Sequence, residues 1–257
     1  MTAELNYKVY GEGEPVVILH GLFGTLDNWQ TFAKRLAEHY MVYVVDQRDH
    51  GKSPHTNEFN YQLLADDLAH FMESQWIHEA RLIGHSMGGK TVMQFAEDHS
   101  DMIEQMVVVD IAPVQYEPGH TAIFDALLAV DIDRVTSRGE VEEVLSEYIT
   151  DSGVRLFLMK NLKRKKAGGF EWKMNLPLLY KEYPNIIASA VGTYKVDVDA
   201  LFVGGTASKY IDETGRAAIE EKYENAKVVM IDGAGHWIHA ERPDELYQLV
   251  TDYFGDL

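Results

Sequence analysis

The chain of 257 residues contains no cysteine, which excludes a disulfide framework, thiolate catalysis and any cysteine-ligated metal site. A reducing compartment suits such a chain, and a cytoplasmic protein is the expectation. Basic residues are scarce. The 23 Lys and Arg stand against 41 Asp and Glu, for a net charge of −18, so nucleic-acid backbones and anionic membranes are repelled on average. No apolar run approaches the ~18 residues of a membrane span. The start, Met1-Thr2-Ala3-Glu4-Leu5-Asn6-Tyr7-Lys8, is charged and lacks an apolar core, so no secretory signal is expected there. No H-E-x-x-H or similar ligand spacing occurs, and neither a metal nor another cofactor is expected. Gly51-Lys52-Ser53 ends like a phosphate-binding loop, but position 46 is Asp where that motif requires Gly. Repeats and low-complexity segments are also absent.

What is present is an ordinary globular composition, 46% hydrophobic and 25% charged, in a chain long enough to bury a full core. Val16-Val17-Ile18-Leu19, Val42-Tyr43-Val44-Val45 and Met106-Val107-Val108-Val109 are continuous β-branched runs, as in strands buried on both faces of a parallel sheet. Leu5 to Tyr10 alternates like an edge strand. Trp29 to Ala37, behind Asp27 as a cap, and Leu63 to Met72 carry helical periodicity, as does the tail Pro243 to Phe254. Strand rhythm stops from about Val114 to Tyr194. Helices are expected there around 122–130, 140–149, 154–162 and 178–190, with a basic loop between the last two. Strands resume at Leu201 to Gly205 and Val228 to Ile231. Alternating strands and helices predict an α/β fold with a parallel sheet. Residues 1–113 and 195–257 are expected to form its core. An ~80-residue insertion is too long for a connection, so 114–194 is expected to be a helical lid. The basic run Lys163-Arg164-Lys165-Lys166 reads as a solvated loop, or as a docking point for the phosphates of an acyl carrier such as coenzyme A.

The chemistry gathers at Leu82-Ile83-Gly84-His85-Ser86-Met87-Gly88-Gly89-Lys90. G-x-S-x-G between a strand and a helix is a nucleophile elbow. The turn is so tight that the serine is strained, and only glycine fits two places before and after it. Ser86 Oγ is thereby lifted out of the turn, and the Met87 N–H faces the same space at a helix N-terminus, where it can hold an oxyanion. A serine nucleophile needs a base and a carboxylate to orient that base. Gly233-Ala234-Gly235-His236-Trp237, directly after the last strand, offers His236 at the sheet edge where Ser86 stands.

These segments, with His20-Gly21-Leu22-Phe23-Gly24 and Asp110-Ile111-Ala112-Pro113, resemble the α/β-hydrolase superfamily over essentially the whole chain. Within it they are similar to the YbfF-type bacterial serine esterases and their mitochondrial relatives. The resemblance implies a second oxyanion donor in the His-Gly-x loop, at the backbone N–H of Leu22 with Phe23 as the near alternative. His20 would brace that loop. Phe23, Met87 and Trp237 would wall a substrate pocket. The common superfamily acid is absent: in Gly204-Gly205-Thr206-Ala207-Ser208 a serine holds its place, and Asp212 comes later. Asp110 ends the strand after the elbow, within reach of the His236 loop, and a carboxylate closing three valines is costly unless paired. The YbfF-type pattern agrees on Asp110, with Asp212 as the alternative acid.

The reading is a serine hydrolase cleaving esters or thioesters of short-to-medium acyl chains. A small-molecule acyl ester or thioester is the expected partner, and the oligomeric state stays open. Serine at the elbow argues against dehalogenase and epoxide hydrolase chemistry. A non-catalytic ligand-binding protein of the same fold is the alternative, as is a cofactor-free haloperoxidase or C–C hydrolase.

Overall fold

The computed structural model describes residues 2–189, 192 and 195–255. Strands and helices alternate from the start: β1 (Tyr7–Tyr10), β2 (Pro15–Leu19), α1 (Gln30–Leu36), β3 (Met41–Val45), α2 (Tyr61–Ser74), β4 (Ala80–His85), α3 (Met87–Asp98) and β5 (Ile103–Val109). Between β5 and the next strand of the main sheet lie α4 (Thr121–Ala129), α5 (Arg138–Tyr148), α6 (Ser152–Met159), β6 (Leu162–Arg164), β7 (Phe170–Trp172), α7 (Leu176–Lys181) and α8 (Tyr183–Ile187). The chain closes with β8 (Ala200–Gly205), α9 (Glu213–Lys222), β9 (Lys227–Ile231), α10 (Ile238–Glu241) and α11 (Pro243–Phe254).

The main sheet has seven strands in the order β1-β3-β2-β4-β5-β8-β9, parallel except for β1. Strand period 2 divides the β-branched runs between two cores. Val17, Leu19, Leu82, Met106 and Val108 pack with α2 and α3, whereas Val16, Ile18, Ile83, Val107 and Val109 pack with α1 and α11. β1 alternates exposed and half-buried residues, as befits an edge strand. The parallel strands point their carboxyl ends at one edge, and the loops after β2, β4, β5, β8 and β9 meet there.

The helices of 121–187 share a third apolar cluster, with Phe124, Leu145, Leu158 and Leu179 at its centre, that joins the core through Leu22, Phe23, Tyr61 and Met87. Two expectations inside this segment change. The basic run sits not on a free loop but on the antiparallel β6–β7 hairpin, where Lys163 pairs with Glu171 and Lys165 with Asp133. The single helix expected over 178–190 is instead the short pair α7 and α8, because Pro184 starts a new helix in its first turn. Its expected end at Ala190, and the boundary at Tyr194, lie outside the described residues. Asp27 caps no helix. It lies in a 3-10 turn capped by Thr25 and Asn28, and its carboxylate pairs with Lys8. Among the described residues no helix is long and apolar enough to cross a membrane.

Candidate active site

The turn between β4 and α3 is as tight as the glycine spacing requires. A Cβ on Gly84 would stand 2.4 Å from Gly88 O, and one on Gly88 2.5 Å from Leu19 O. Ser86 has φ 52° and ψ −117°, a conformation that side-chain-bearing residues rarely adopt. Its N–H is tied to Val109 O at 2.9 Å, so the elbow is pinned to the neighbouring strand. The hydroxyl is left at the sheet edge.

Ser86 Oγ lies 3.0 Å from His236 Nε2, and His236 Nδ1 lies 2.7 Å from Asp110 Oδ2. The three residues come from the ends of β4, β5 and β9. Asp110 is fully buried, again at positive φ (51°), which aspartate tolerates better than most residues. Its carboxylate is not left unpaired. Gly205 N–H donates to Oδ1 at 3.2 Å, and Ser208 Oγ–H donates to Oδ2. Asp212 is not brought to His236. It is the N-cap of α9, accepting from Gly215 N–H at 2.8 Å.

The His236 loop is strapped from both flanks by one carboxylate. Glu241 of α10 accepts from Gly235 N–H at 2.6 Å and from Trp237 N–H at 3.2 Å. His85 Nε2–H donates to the His236 carbonyl at 2.9 Å, and the His236 ring stacks on Tyr210 with centroids 4.1 Å apart. An imidazole held this way keeps one orientation between hydroxyl and carboxylate. Such an arrangement can move a proton off Ser86 and stabilise the imidazolium that results.

The loop after β2 is set by two neutral histidines. His20 Nδ1–H donates to Gly21 O at 2.8 Å while Nε2 accepts from Gln47 N–H at 3.1 Å. Gly24 N–H also donates to Gly21 O, at 2.9 Å. Gly21 C=O and Leu22 N–H belong to one trans peptide plane, so fixing the oxygen aims the N–H the opposite way. Both His20 ring nitrogens are thereby spent on backbone groups that hold the loop. His50 Nδ1–H donates to Arg48 O, and its Nε2 accepts from Phe23 N–H at 3.3 Å. That bond uses up the Phe23 N–H. Among the described residues the Leu22 N–H has no acceptor, and the Met87 N–H, first in α3, has no intrahelical carbonyl. Burial pushes His20 down to about 4, and burial with neighbouring His20 pushes His50 down to about 3. Both rings stay neutral at pH 7, with one donor and one acceptor each, which their bonds demand.

Two clefts meet at Ser86. Phe23, Ile123, Phe157 and Trp237 line one, together with His236. Met87, Lys90, Tyr116, Ile187 and Tyr210 line the other. Phe23 and Trp237 thus line one cleft and Met87 the other. Lys90, one turn beyond Ser86, is buried, and its ammonium donates to the carbonyls of Ile187 and Ala188. Burial lowers its pKa to about 7. Five histidines (20, 85, 120, 236 and 239) border the first cleft, yet among the described residues no group of three His, Cys, Asp or Glu is spaced to hold a metal ion.

Sequence reasoning missed Tyr210, Gln47 and His50, and noted Ser208 only for not being an acid. None carries a local signature, since each acts through a partner tens of residues away.

A family model described as alpha/beta hydrolase fold matches residues 14–135. Esterase YbfF of Escherichia coli (strain K12) is 38% identical over 246 residues, spanning 94% of this chain and 93% of the relative. The sn-1-specific diacylglycerol lipase ABHD11 of Danio rerio is 34% identical over 260 residues, 96% of this chain and 81% of the relative. The solved structure of a marine microorganism esterase superposes with TM-score 0.96 at 41% identity, covering 98% of this chain and 100% of that one.

Proposed function

The chain belongs to the α/β-hydrolase family as an enzyme of the esterase and lipase kind, and we propose that it cleaves carboxylic esters or thioesters of short-to-medium acyl chains through an acyl-enzyme on Ser86. The observation that carries this reading is the bridge made by His236, 3.0 Å from Ser86 Oγ and 2.7 Å from Asp110 Oδ2.

Ser86 Oγ attacks the acyl carbonyl carbon while His236 Nε2 takes its proton. Asp110 holds the Nδ1–H tautomer and stabilises the imidazolium. The oxyanion that forms is held by the N–H groups of Leu22 and Met87. Removing one such donor costs on the order of 10²–10³ in rate in other serine hydrolases. Collapse breaks the bond to the alcohol or thiol, which leaves with the proton from His236. Water enters, His236 takes one of its protons, and the hydroxide equivalent attacks the acyl-enzyme. The carboxylic acid departs and Ser86 regains its proton. The cleft lined by Phe23 and Trp237 takes one side of the ester and the cleft past Met87 the other. Residues 114–194 act as a cap over both.

The test is labelling by a fluorophosphonate, with the modified peptide located by mass spectrometry, beside a panel of p-nitrophenyl esters from acetate to palmitate, acyl-CoA thioesters and a diacylglycerol. Stoichiometric modification at Ser86, with turnover of short or medium esters, is expected. Labelling of wild type no faster than that of Ser86→Ala would return the chain to the non-catalytic binding alternative.

A further inference from the structure

Phe23 is held at both ends of its backbone, and one holder comes from the insertion. Its φ is 59°, a left-handed conformation that a residue with a Cβ leaves unless it is restrained. On one side His50 Nε2 accepts its N–H. On the other, Asn161 Nδ2–H donates to its carbonyl at 2.7 Å. Asn161 belongs to the turn between α6 and β6, is fully buried, and is fixed by its own backbone: its N–H donates to Leu158 O and its C=O accepts from Lys173 N–H.

The other half of the Asn161 amide is telling. Its Oδ1 is buried with no hydrogen-bond partner among the described residues. A buried acceptor without a donor destabilises the fold. As a packing residue, then, Asn161 is a poor choice, and a leucine of similar volume would serve better. What the side chain does accomplish is the single bond to Phe23 O, 138 positions away.

Three consecutive peptide planes run through this loop. The first, bearing Leu22 N–H, is fixed at Gly21 O by His20 and Gly24. The second is fixed at Phe23 N–H by His50, and the third twice, at Phe23 O by Asn161 and at Gly24 N–H by the turn bond to Gly21 O. Without Asn161 only the Gly24 turn bond holds the third plane, and Phe23 is freer to leave its left-handed conformation, which turns the second plane and with it Leu22. We propose that Asn161 is a positioning residue for the oxyanion hole. By holding Phe23 in its left-handed conformation from the insertion, it makes the Leu22 donor competent only when the insertion is docked. This rests on the assignment of Leu22 and Ser86 above.

The experiment compares wild type, Asn161→Leu and Asn161→Ser by kcat and KM on p-nitrophenyl butyrate, affinity for an alkyl trifluoromethyl ketone and thermal midpoint. The ketone binds as a hemiketal oxyanion and so reports the hole directly. For Asn161→Leu, kcat should fall at least about tenfold, below the 10²–10³ of deleting a donor outright. KM should stay within about twofold, ketone affinity should drop by the factor seen in kcat, and the thermal midpoint should hold or rise. Asn161→Ser keeps the turn small and polar without reaching Phe23 O, and should lose activity likewise should the leucine variant fold poorly. A lower midpoint with kcat and ketone affinity within about twofold of wild type would make Asn161 merely structural and overturn the proposal. Failure of the underlying reading looks different: wild type itself would neither turn over the ester nor be labelled by a fluorophosphonate.

Discussion

Ser208 Oγ–H donates to Asp110 Oδ2, the same carboxylate oxygen that lies 2.7 Å from His236 Nδ1. Ser208 stands where the wider superfamily pattern would put the acid, and its hydroxyl serves the carboxylate proposed to replace it. A buried carboxylate is costly without donors, and Asp110 has three, from Ser208, Gly205 N–H and the imidazole. Ser208→Ala removes one of three. Its kcat should fall by about tenfold, the effect of roughly 1.5 kcal/mol at the low end for one hydrogen bond to a charged group. A Ser208→Ala enzyme as inactive as an Asp110 variant would make the hydroxyl a full partner in proton transfer.

The acid itself gives the larger contrast. Asp110→Asn keeps the shape but favours the wrong imidazole tautomer, and kcat should fall on the order of 10⁴, by analogy with the same change in serine proteases. Asp212→Asn should cost less than about tenfold and little stability, because asparagine caps a helix as well as aspartate does. Both are compared at one pH with folding checked by circular dichroism. A dead Asp212→Asn beside a working, folded Asp110→Asn would reverse the assignment.

Strain at the nucleophile separates activity from stability. Ser86→Ala should abolish ester hydrolysis beyond the oxyanion-hole background and leave the thermal midpoint unchanged or higher. Ser86→Gly should go further and stabilise by about 1 kcal/mol, since glycine adopts φ 52° without a clash. A glycine variant less stable than wild type would mean that the hydroxyl's contacts outweigh the backbone strain.

Acid should unfold the site before it titrates ordinary surface carboxylates. Burial lowers His20 and His120 to about 4 and His50 and His239 to about 3, against about 6.5 in the unfolded chain. Between those values the unfolded state binds more protons, so stability rises with pH there. It is fully present above about 6.5 and is lost as pH falls from 6.5 towards 4 and 3. Thermal midpoints measured from pH 8 to 4.5 should be flat above 7 and fall below 6.5. His50→Gln, which keeps an acceptor for Phe23 N–H but does not titrate, should flatten part of that fall. A flat profile down to pH 5 in wild type would show that these rings protonate freely in the fold.

Substrate length should follow the first cleft. Phe23 and Trp237 are bulky and share a wall with Phe157, whose ring lies 5.7 Å from that of Trp237. Trp237→Ala should move the p-nitrophenyl ester optimum by kcat/KM to longer chains. Met87→Ala, in the second cleft, should alter the leaving-group preference instead. A wild-type optimum at palmitate would remove Phe23 and Trp237 from the limiting wall.

The elbow was legible in the sequence because half of its cause is local. A Cβ on Gly84 would meet Gly88 O at 2.4 Å within the turn, whereas Gly88 is demanded by Leu19 O of the neighbouring β2, 2.5 Å from its missing Cβ. The buried strands were legible for a similar reason, as β-branched runs bounded by turns, and α11 matches its expected range from Pro243 to Phe254. The β6–β7 hairpin was not, because its strands are three residues each and its charges mimic a solvated loop.

What only the tertiary structure decided are relations between distant residues. Asp110 and Asp212 are both acidic, one just after β5 and the other just before α9; they differ because one lies 2.7 Å from a histidine 126 positions away and the other is spent on its own helix. Leu22 and Phe23 are neighbours with identical N–H groups, and His50 takes one of them. Met87 and Phe23, expected in one wall, line different clefts at Ser86. Local sterics and periodicity are written residue by residue along the chain. The pairing of a donor with its acceptor depends on where the sheet brings its strand ends, and no single stretch of sequence contains that.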